Sequence, residues 1–406
     1  MDKEINIFAN NVDKSAMDQF MSAMVQPFSV KGALMPDVHK GYSLPIGAVV
    51  ATEGAIIPAW VGYDIGCGMC ALKLIGIEKR YIEENSKKIF DAIYKEIPVG
   101  RNINEGADIF CSLEGLTYEG RVIAVKKRYR HAMGSLGGGN HFIEIGYDED
   151  DSIWVIIHSG SRGVGHGIAS HYMTLASCNV EMLEKEFDLK SALIKKHNPE
   201  KYDDYKTKYI ANQQRKAKPK EGHYSFDVES QNGKDYIQDL EWCLEYALDN
   251  RKNMMARVIE VIEEVLNISA YKTDLSKLIN RNHNHATLKD GLWIHRKGAT
   301  HAEEGMMGVI PGNMKDGSFI VRGKGNPDSL YSSSHGAGRS MSRNEAHKTL
   351  NIDEFEESMV GIIAPVGPAT LDESPKAYKN IYEVMRLQSD LVEIIAHVKP
   401  LINIKG

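Results

Sequence analysis

The sequence predicts an α+β fold, with central β-sheets interrupted by a mostly helical excursion over residues 169–267. Three observations predict it. Short apolar runs bounded by glycines and polar turns, such as Ile153–Ile157, have the length and continuity of buried strands. From about Ala169 to Asn267 the apolar residues recur instead at helical spacing, in two stripes: Tyr236, Ile237, Leu240, Leu244, Ala247 and Leu248, then Met255, Val258, Ile259, Ile262 and Val265. Residues able to ligate a metal run from Asp64 to His283, in or beside Gly- or Asn-rich breaks. One site would then draw on most of the chain, which separate domains do not easily allow, so residues 1–406 are expected to form a single domain.

Taken in order, Ile5–Phe8 suits a short strand, followed by an amphipathic segment up to about Leu34. Met35–Gly41 reads as a turn-rich stretch in which His39 is a candidate for supporting a metal ligand or a phosphate. Ala48–Ala51 and Ala55–Ile57 read as a hairpin closed by Thr52-Glu53-Gly54. It leads into Val61-Gly62-Tyr63-Asp64-Ile65-Gly66-Cys67-Gly68-Met69-Cys70, where glycines frame a carboxylate and a thiol three positions apart. Helical spacing covers Glu78–Ile97. The glycines of Gly137-Gly138-Gly139-Asn140-His141 allow close approach of backbone to a ligand. A strand should follow, on which His141 and Glu144 would face opposite sides. Ile153–Ile157 ends at His158, and Arg162 close behind it suits an adjacent anion.

Within the helical excursion the polar Lys195–His223 portion reads as exposed. Asn280–His285 places His283 and His285 two apart, on one face if the segment is a strand. Strand-like runs lie at Trp293–Ala299 and Ser318–Gly323. Ser342 and Glu345 have capping-box spacing, so a helix is expected to start near Arg343. The Gly-rich turn before it, with His335 at its mouth and Arg339 and Arg343 at its flanks, is an anion cradle by geometry and charge. An amphipathic helix is expected over Tyr382–His397.

Composition narrows the function classes. The chain is 42% hydrophobic and 26% charged, with no apolar run near the roughly 18 residues of a membrane span and no signal-peptide pattern, so a cytoplasmic protein is expected. Five cysteines, unpatterned apart from Cys67 and Cys70, point to reduced thiols. A net charge of −6 supplies no global attraction for nucleic acid. Any such contact must use local clusters, of which there are two: Lys126–Arg130, and Lys206–Lys220 with Lys208, Arg215, Lys216 and Lys218. The plainer reading of each is a solvated helix face.

The motifs of P-loop enzymes, HExxH metalloenzymes, GxSxG hydrolases and lysine-dependent nucleotidyl ligases are missing. A phosphate-handling enzyme built from this chain would need metals for charge neutralisation and another nucleophile. His335 is the natural choice, because a neutral imidazole attacks phosphorus near pH 7 and the phosphoramidate it forms passes the group on. Asp64, Cys67, His141, His158 and His283 make a five-ligand set. A bridging thiolate could hold two ions, the usual device for in-line displacement at phosphate. Affinity order favours zinc over manganese, so ligand chemistry leaves the metal open.

Seven blocks in order, Pro36–His39, Asp64–Met69, Gly139–Glu144, His158–Gly163, His283-Asn284, Arg296–Ala299 and Ser334–Arg339, resemble the RtcB family of RNA ligases. The resemblance covers nearly the whole chain. It implies a GTP-dependent ligase with two Mn²⁺ ions that joins an RNA 3′-phosphate, or a 2′,3′-cyclic phosphate opened first, to a 5′-hydroxyl. On it, Asp64, Cys67, His141, His158 and His283 are the manganese ligands, with Cys67 bridging, and His335 takes up GMP before passing it to the RNA. Guanylate contacts carry over to Asn140, His141, Phe142, Ile143, Glu144, His283, Asn284, Pro311, Gly312, Asn313, Met314, Ser318, His335, Gly336, Ala337, Gly338, Tyr378 and Lys405. Glu144 would read the guanine edge and Tyr378 its face. Arg162, Arg339 and Arg343 are candidates for RNA phosphate. Asn313 stands where many members have serine, and Cys70 adds a second thiol. RNA with broken ends, from tRNA or rRNA, is the expected partner, an archease-like activator is a candidate one, and a monomer is expected. The rival reading is a metallophosphoesterase that opens 2′,3′-cyclic phosphates without ligation.

Overall fold

The computed structural model describes residues 3–105, 109, 111–178, 180–268 and 274–406. Its centre is a seven-stranded antiparallel sheet in the order Met307–Pro311, Ser318–Gly323, Val392–Lys405, Phe142–Tyr147, Ser152–Ser159, Gly68–Glu78 and Ile279–Asn282. The sheet curls until its first strand packs on its last two. Both faces are buried, which explains why its strands read as continuous apolar runs. Ile143, Ile145, Val155 and Ile157 pack on one side with the helices Lys79–Glu96 and Gln231–Leu266, while Phe142, Ile156, Ile320 and Val398 pack on the other. A second sheet of five strands, Glu4–Ile7, Ser29–His39, Ile46–Thr52, Leu292–Lys297 and Asn284–Lys289, lies beside it. The fold is α+β, as the sequence predicts.

The two apolar stripes form one 36-residue helix, Gln231–Leu266, capped by Ser230 Oγ on the Gly233 N–H and closed by Asn267 in the left-handed region at φ 50°. At about 1.5 Å per residue it runs some 50 Å and joins two core clusters. The expected serine N-cap is also present: Ser342 Oγ accepts from the Glu345 N–H, and the helix is Arg343–Thr349. Among the described residues no helix is long and apolar enough to cross a membrane.

Several expectations are corrected. Thr52-Glu53-Gly54 closes no hairpin, because both edges of Ile46–Thr52 are taken by Ser29–His39 and Leu292–Lys297, and Ala55-Ile56 pairs instead with Phe226-Asp227. The helix expected over Tyr382–His397 ends at Leu387, and the chain continues as the strand Val392–Lys405. β-Branched residues at 392, 394, 395, 398, 402 and 404 and a proline at 400, at a register shift, favour that outcome. His283 and His285 do not share a face. His283 is the residue at which the chain leaves one sheet for the other, and the His285 ring stacks on His301 with centroids 4.4 Å apart. The Lys195–His223 stretch is exposed over most of its described residues, as expected, and is largely helical, over Ala192–His197 and Pro199–Lys216.

Candidate active site

The ladder registers bring four distant segments to one rim of the large sheet. Gly68 pairs with both Ser159 and Asn282, and Phe142 pairs with His158, so the turns that carry Asp64, Cys67, His141 and His283 end beside His158. Cys67 Sγ lies 3.1 Å from His158 Nε2 and 3.4 Å from His141 Nε2. His158 Nε2 is 3.3 Å from His283 Nε2, and His141 Nε2 is 3.4 Å from Asp64 Oδ2. His141 precedes the strand that carries Glu144, so strand alternation does not separate the two. Gly137, at φ +103°, is required here: a Cβ would lie 2.2 Å from His141 Nδ1 and 2.3 Å from Arg162 Nη1.

Cys67, His141 and His158 thus offer ligand atoms that all lie within 4.8 Å of one another, with Asp64 beside His141 and His283 beside His158. Burial and the neighbouring imidazoles hold His158 and His283 well below the usual histidine range, so both rings are neutral with free lone pairs. His158 Nδ1 is tied to the Asn140 carbonyl at 3.1 Å, which leaves Nε2 as the ligating atom. Burial raises the Cys67 thiol, and the Asp64 charge raises it further. Burial also pushes the Asp64 carboxyl up, but the His141 imidazole outweighs that and holds it at about 2. Imidazole nitrogens, a thiol and a carboxylate crowded together in this way fit a divalent ion.

His335 borders this cluster, its ring centroid 4.9 Å from that of His283. Its Nδ1 lies 2.6 Å from Oδ2 of Asp37, which is fully buried and also accepts from the His335 backbone N–H at 3.2 Å. Nε2 is thereby the ring nitrogen that Asp37 does not engage, on a residue that lines the cavity. The sequence reading missed Asp37, whose partner lies 298 positions away. His39 turns its Nδ1 to the Asp37 carbonyl, 2.9 Å away.

From His335 a cavity of about 300 Å³ runs to Glu144, within the size range of small-ligand sites. Phe142 and Glu144 face it from one strand. Lys405 and Asn403 are their register partners on the next, so the chain terminus belongs to the wall. Glu144 accepts from Ser318 Oγ at 2.9 Å and from Asn403 Nδ2 at 3.3 Å, and burial pushes its carboxyl up to about 7 against their effect. Lys405 Nζ is 5.1 Å from the centre of the Phe142 ring and 2.8 Å from Glu373. The same Glu373 accepts from Tyr378 OH at 2.6 Å and pairs with Arg339 at 3.4 Å and Arg343 at 3.2 Å. This hub was also missed.

Pro311, Gly312, Asn313, Met314, Gly336, Ala337 and Gly338 complete the wall with Asn140. The Asn313 side chain is engaged in its own turn, accepting from the Lys315 and Asp316 N–H groups and donating to Asp316 Oδ2. Strand alternation turns the Ile143 side chain away into the helix-covered core, so any contact it makes with a ligand would be through its backbone. His283 and Asn284 line a second space of about 240 Å³ on the metal side of His335, with Asp64, Cys67 and Lys297, whose ammonium burial lowers to about 7.

Arg162 donates to Ser135 Oγ and the Gly100 carbonyl, both at 2.9 Å, from a backbone at φ 58°. Of the basic clusters, Lys206 pairs with Asp188 at 3.2 Å and Lys208 with Asp204 at 2.6 Å, while the Arg215 side chain lies outside the described residues. A larger depression of about 670 Å³ over Lys73–Arg80 is remote from these histidines, and its Lys73 and Lys79 are paired with Asp148 and Asp151.

Residues 19–117 and 113–406 match the family model described as tRNA-splicing ligase RtcB. The chain belongs to the RtcB family. An RNA-splicing ligase RtcB of Escherichia coli K12 is 34% identical over 97% of this chain and 95% of its own length. The RNA-splicing ligase RtcB1 of a second Escherichia coli strain gives the same figures, 34%, 97% and 95%. The tRNA-splicing ligase RtcB of Thermococcus kodakarensis is 26% identical over 92% and 87%.

Proposed function

We propose that this chain, an RNA ligase by family, is a GTP- and Mn²⁺-dependent enzyme that joins RNA 3′-phosphate or 2′,3′-cyclic phosphate ends to 5′-hydroxyl ends through a GMP–His335 intermediate. The observation that carries the reading is the position of His335, held by Asp37 between the Cys/His cluster and the cavity that ends at Glu144. Asp64, Cys67, His141, His158 and His283 would hold two manganese ions, which supply charge neutralisation at the phosphates when bound. His335 Nε2 attacks the α-phosphorus of GTP as the bond to pyrophosphate breaks. The RNA 3′-phosphate then takes the GMP from His335, and the 5′-hydroxyl displaces GMP to form the phosphodiester. Glu144 accepts from the guanine edge, Tyr378 stacks on its face, and Lys405, Arg339 and Arg343 sit beside the anionic parts.

The whole of residues 1–406 acts as one unit in this reading, in the cytoplasm, as a monomer, on broken tRNA or rRNA, with an archease-like activator as a candidate partner. Incubation with RNA bearing 3′-phosphate and 5′-hydroxyl ends should give a sealed product only with GTP and Mn²⁺. End processing that ignores GTP would favour the phosphoesterase reading instead. If the basic clusters hold single-stranded RNA, log affinity falls by about 0.7 per log unit of salt for each phosphate contact. A flat salt response contradicts that role.

Glu144 makes a pH prediction. Its raised pKa, about 7, means that roughly half of the free protein carries the proton near neutrality, and the proton must leave before the carboxylate accepts from guanine N–H donors. GTP affinity should therefore rise about tenfold from pH 6 to pH 8. In Glu144→Gln the rise should flatten and guanine binding weaken by about 1.5–3 kcal/mol. The nucleotide's own phosphate titration is common to both proteins and cancels in their ratio. A parallel pH profile in the two would contradict the role given to Glu144.

A further inference from the structure

The middle of the 36-residue helix carries two adjacent polar residues, Asn250 and Arg251, neither of which retains any exposure. A guanidinium so placed is costly unless every donor is used. None of the hydrogen bonds of Arg251 among the described residues goes to a carboxylate. Its Nη1 donates to the carbonyls of Gly66 at 2.9 Å and Ser159 at 2.8 Å, its Nη2 to Asn282 Oδ1 at 2.6 Å, and its Nε to Asn280 Oδ1 at 2.7 Å.

The acceptors are not scattered. Gly66 lies between Asp64 and Cys67, Ser159 follows His158, and Asn282 precedes His283. Asn250 extends the pattern: its Oδ1 accepts from the Gly134 N–H at 2.7 Å and its Nδ2 donates to the Gly160 carbonyl at 3.1 Å. A planar fork whose donors are fixed relative to one another sets the spacing of the segments it joins.

We propose that Arg251 is a positioning residue of the metal centre: by tying together the backbones that carry Asp64, Cys67, His158 and His283, it sets the affinity of the site for a divalent cation. The proposal rests on the metal-site reading given above. It differs from a role in folding alone, which would lower the thermal midpoint and leave ion affinity unchanged.

The test titrates Mn²⁺ into metal-free full-length protein, reading the free-ion electron paramagnetic resonance signal, with thermal midpoints measured without metal. The proteins are the parent, Arg251→Lys and Asn282→Ala. A lysine keeps the charge and cannot reach all four acceptors; the alanine removes one acceptor and no charge. Arg251→Lys should bind Mn²⁺ about 10–100-fold more weakly than the parent, as expected when a group that orients metal ligands is lost. Asn282→Ala should lose at least about threefold, and it carries the test if Arg251→Lys fails to fold. Folded variants that bind within about twofold of the parent overturn the proposal, even with a lowered midpoint. A parent that takes up no Mn²⁺ overturns the metal reading itself, an outcome told apart by the parent titration alone.

Discussion

Asp37→Asn should slow transfer of GMP to His335 by about 10³- to 10⁴-fold while GTP binding changes little. The Asp37 carboxylate is fully buried and lies 2.6 Å from His335 Nδ1, a contact that in the neutral ring selects the tautomer with its proton on Nδ1 and its lone pair on Nε2. Burial pushes this carboxyl up, but the imidazole beside it outweighs that and holds it below the usual range, so it acts as an anion. An amide in its place can donate to Nδ1, which selects the tautomer with the proton on Nε2 and removes the nucleophilic lone pair. A buried aspartate behind a catalytic histidine has an effect of this size where the wrong tautomer results. Single-turnover labelling of the protein with GMP measures it directly. A rate within about tenfold of the parent, in a variant with the parent's circular dichroism, would remove Asp37 from the orienting role.

Cys67→Ala should abolish ligation and weaken Mn²⁺ binding by at least about a hundredfold. The sulfur is central to the cluster, close to two of the three imidazoles, at 3.1 and 3.4 Å. A divalent ion at 100 times its Kd raises stability by about 2.7 kcal/mol, so the parent's melting temperature should climb on addition of Mn²⁺. The variant should show no such climb. In the metal-free state it should be modestly less stable, because a buried sulfur and its contacts are lost. Equal Mn²⁺-induced shifts in the two proteins would exclude Cys67 as a ligand.

What the sequence disclosed was governed by local rules. The Ser342 cap, the Ile153–Ile157 strand and the periodic stripes of the long helix depend on neighbours a few residues away, and each appears in the structure. The chemistry of the site was legible because Cys and His in Gly-rich turns have few alternative uses. Long-range partners left no trace. Asp37 stands in what reads as an ordinary turn, and its role arises only when His335, 298 positions on, returns to it; Glu373, in a short 3-10 segment, gathers Tyr378, Arg339, Arg343 and Lys405 without any sequence pattern that marks it.

Arg251 did leave a signal. Ala247, Arg251, Met255 and Ile259 are spaced four apart on one helix face, so a charged residue occupied an apolar stripe. Cys70 resolves similarly. Three positions from Cys67 and within a strand, it faces the opposite side, in the helix-covered core with Ile143 and Ile157. The strand Val392–Lys405 was misread because its charged and apolar residues mimic helical amphipathicity over one stretch, while the proline at 400 lies just beyond it.

The central claim is that His335 captures GMP at a metal-assisted site, and the intact mass of the protein after exposure to GTP tests it most directly. With Mn²⁺ the parent should gain the mass of one GMP. Without Mn²⁺, or in His335→Ala, it should gain nothing. A GMP-sized adduct that persists in His335→Ala, or none in the parent with GTP and Mn²⁺ both supplied, would contradict the account.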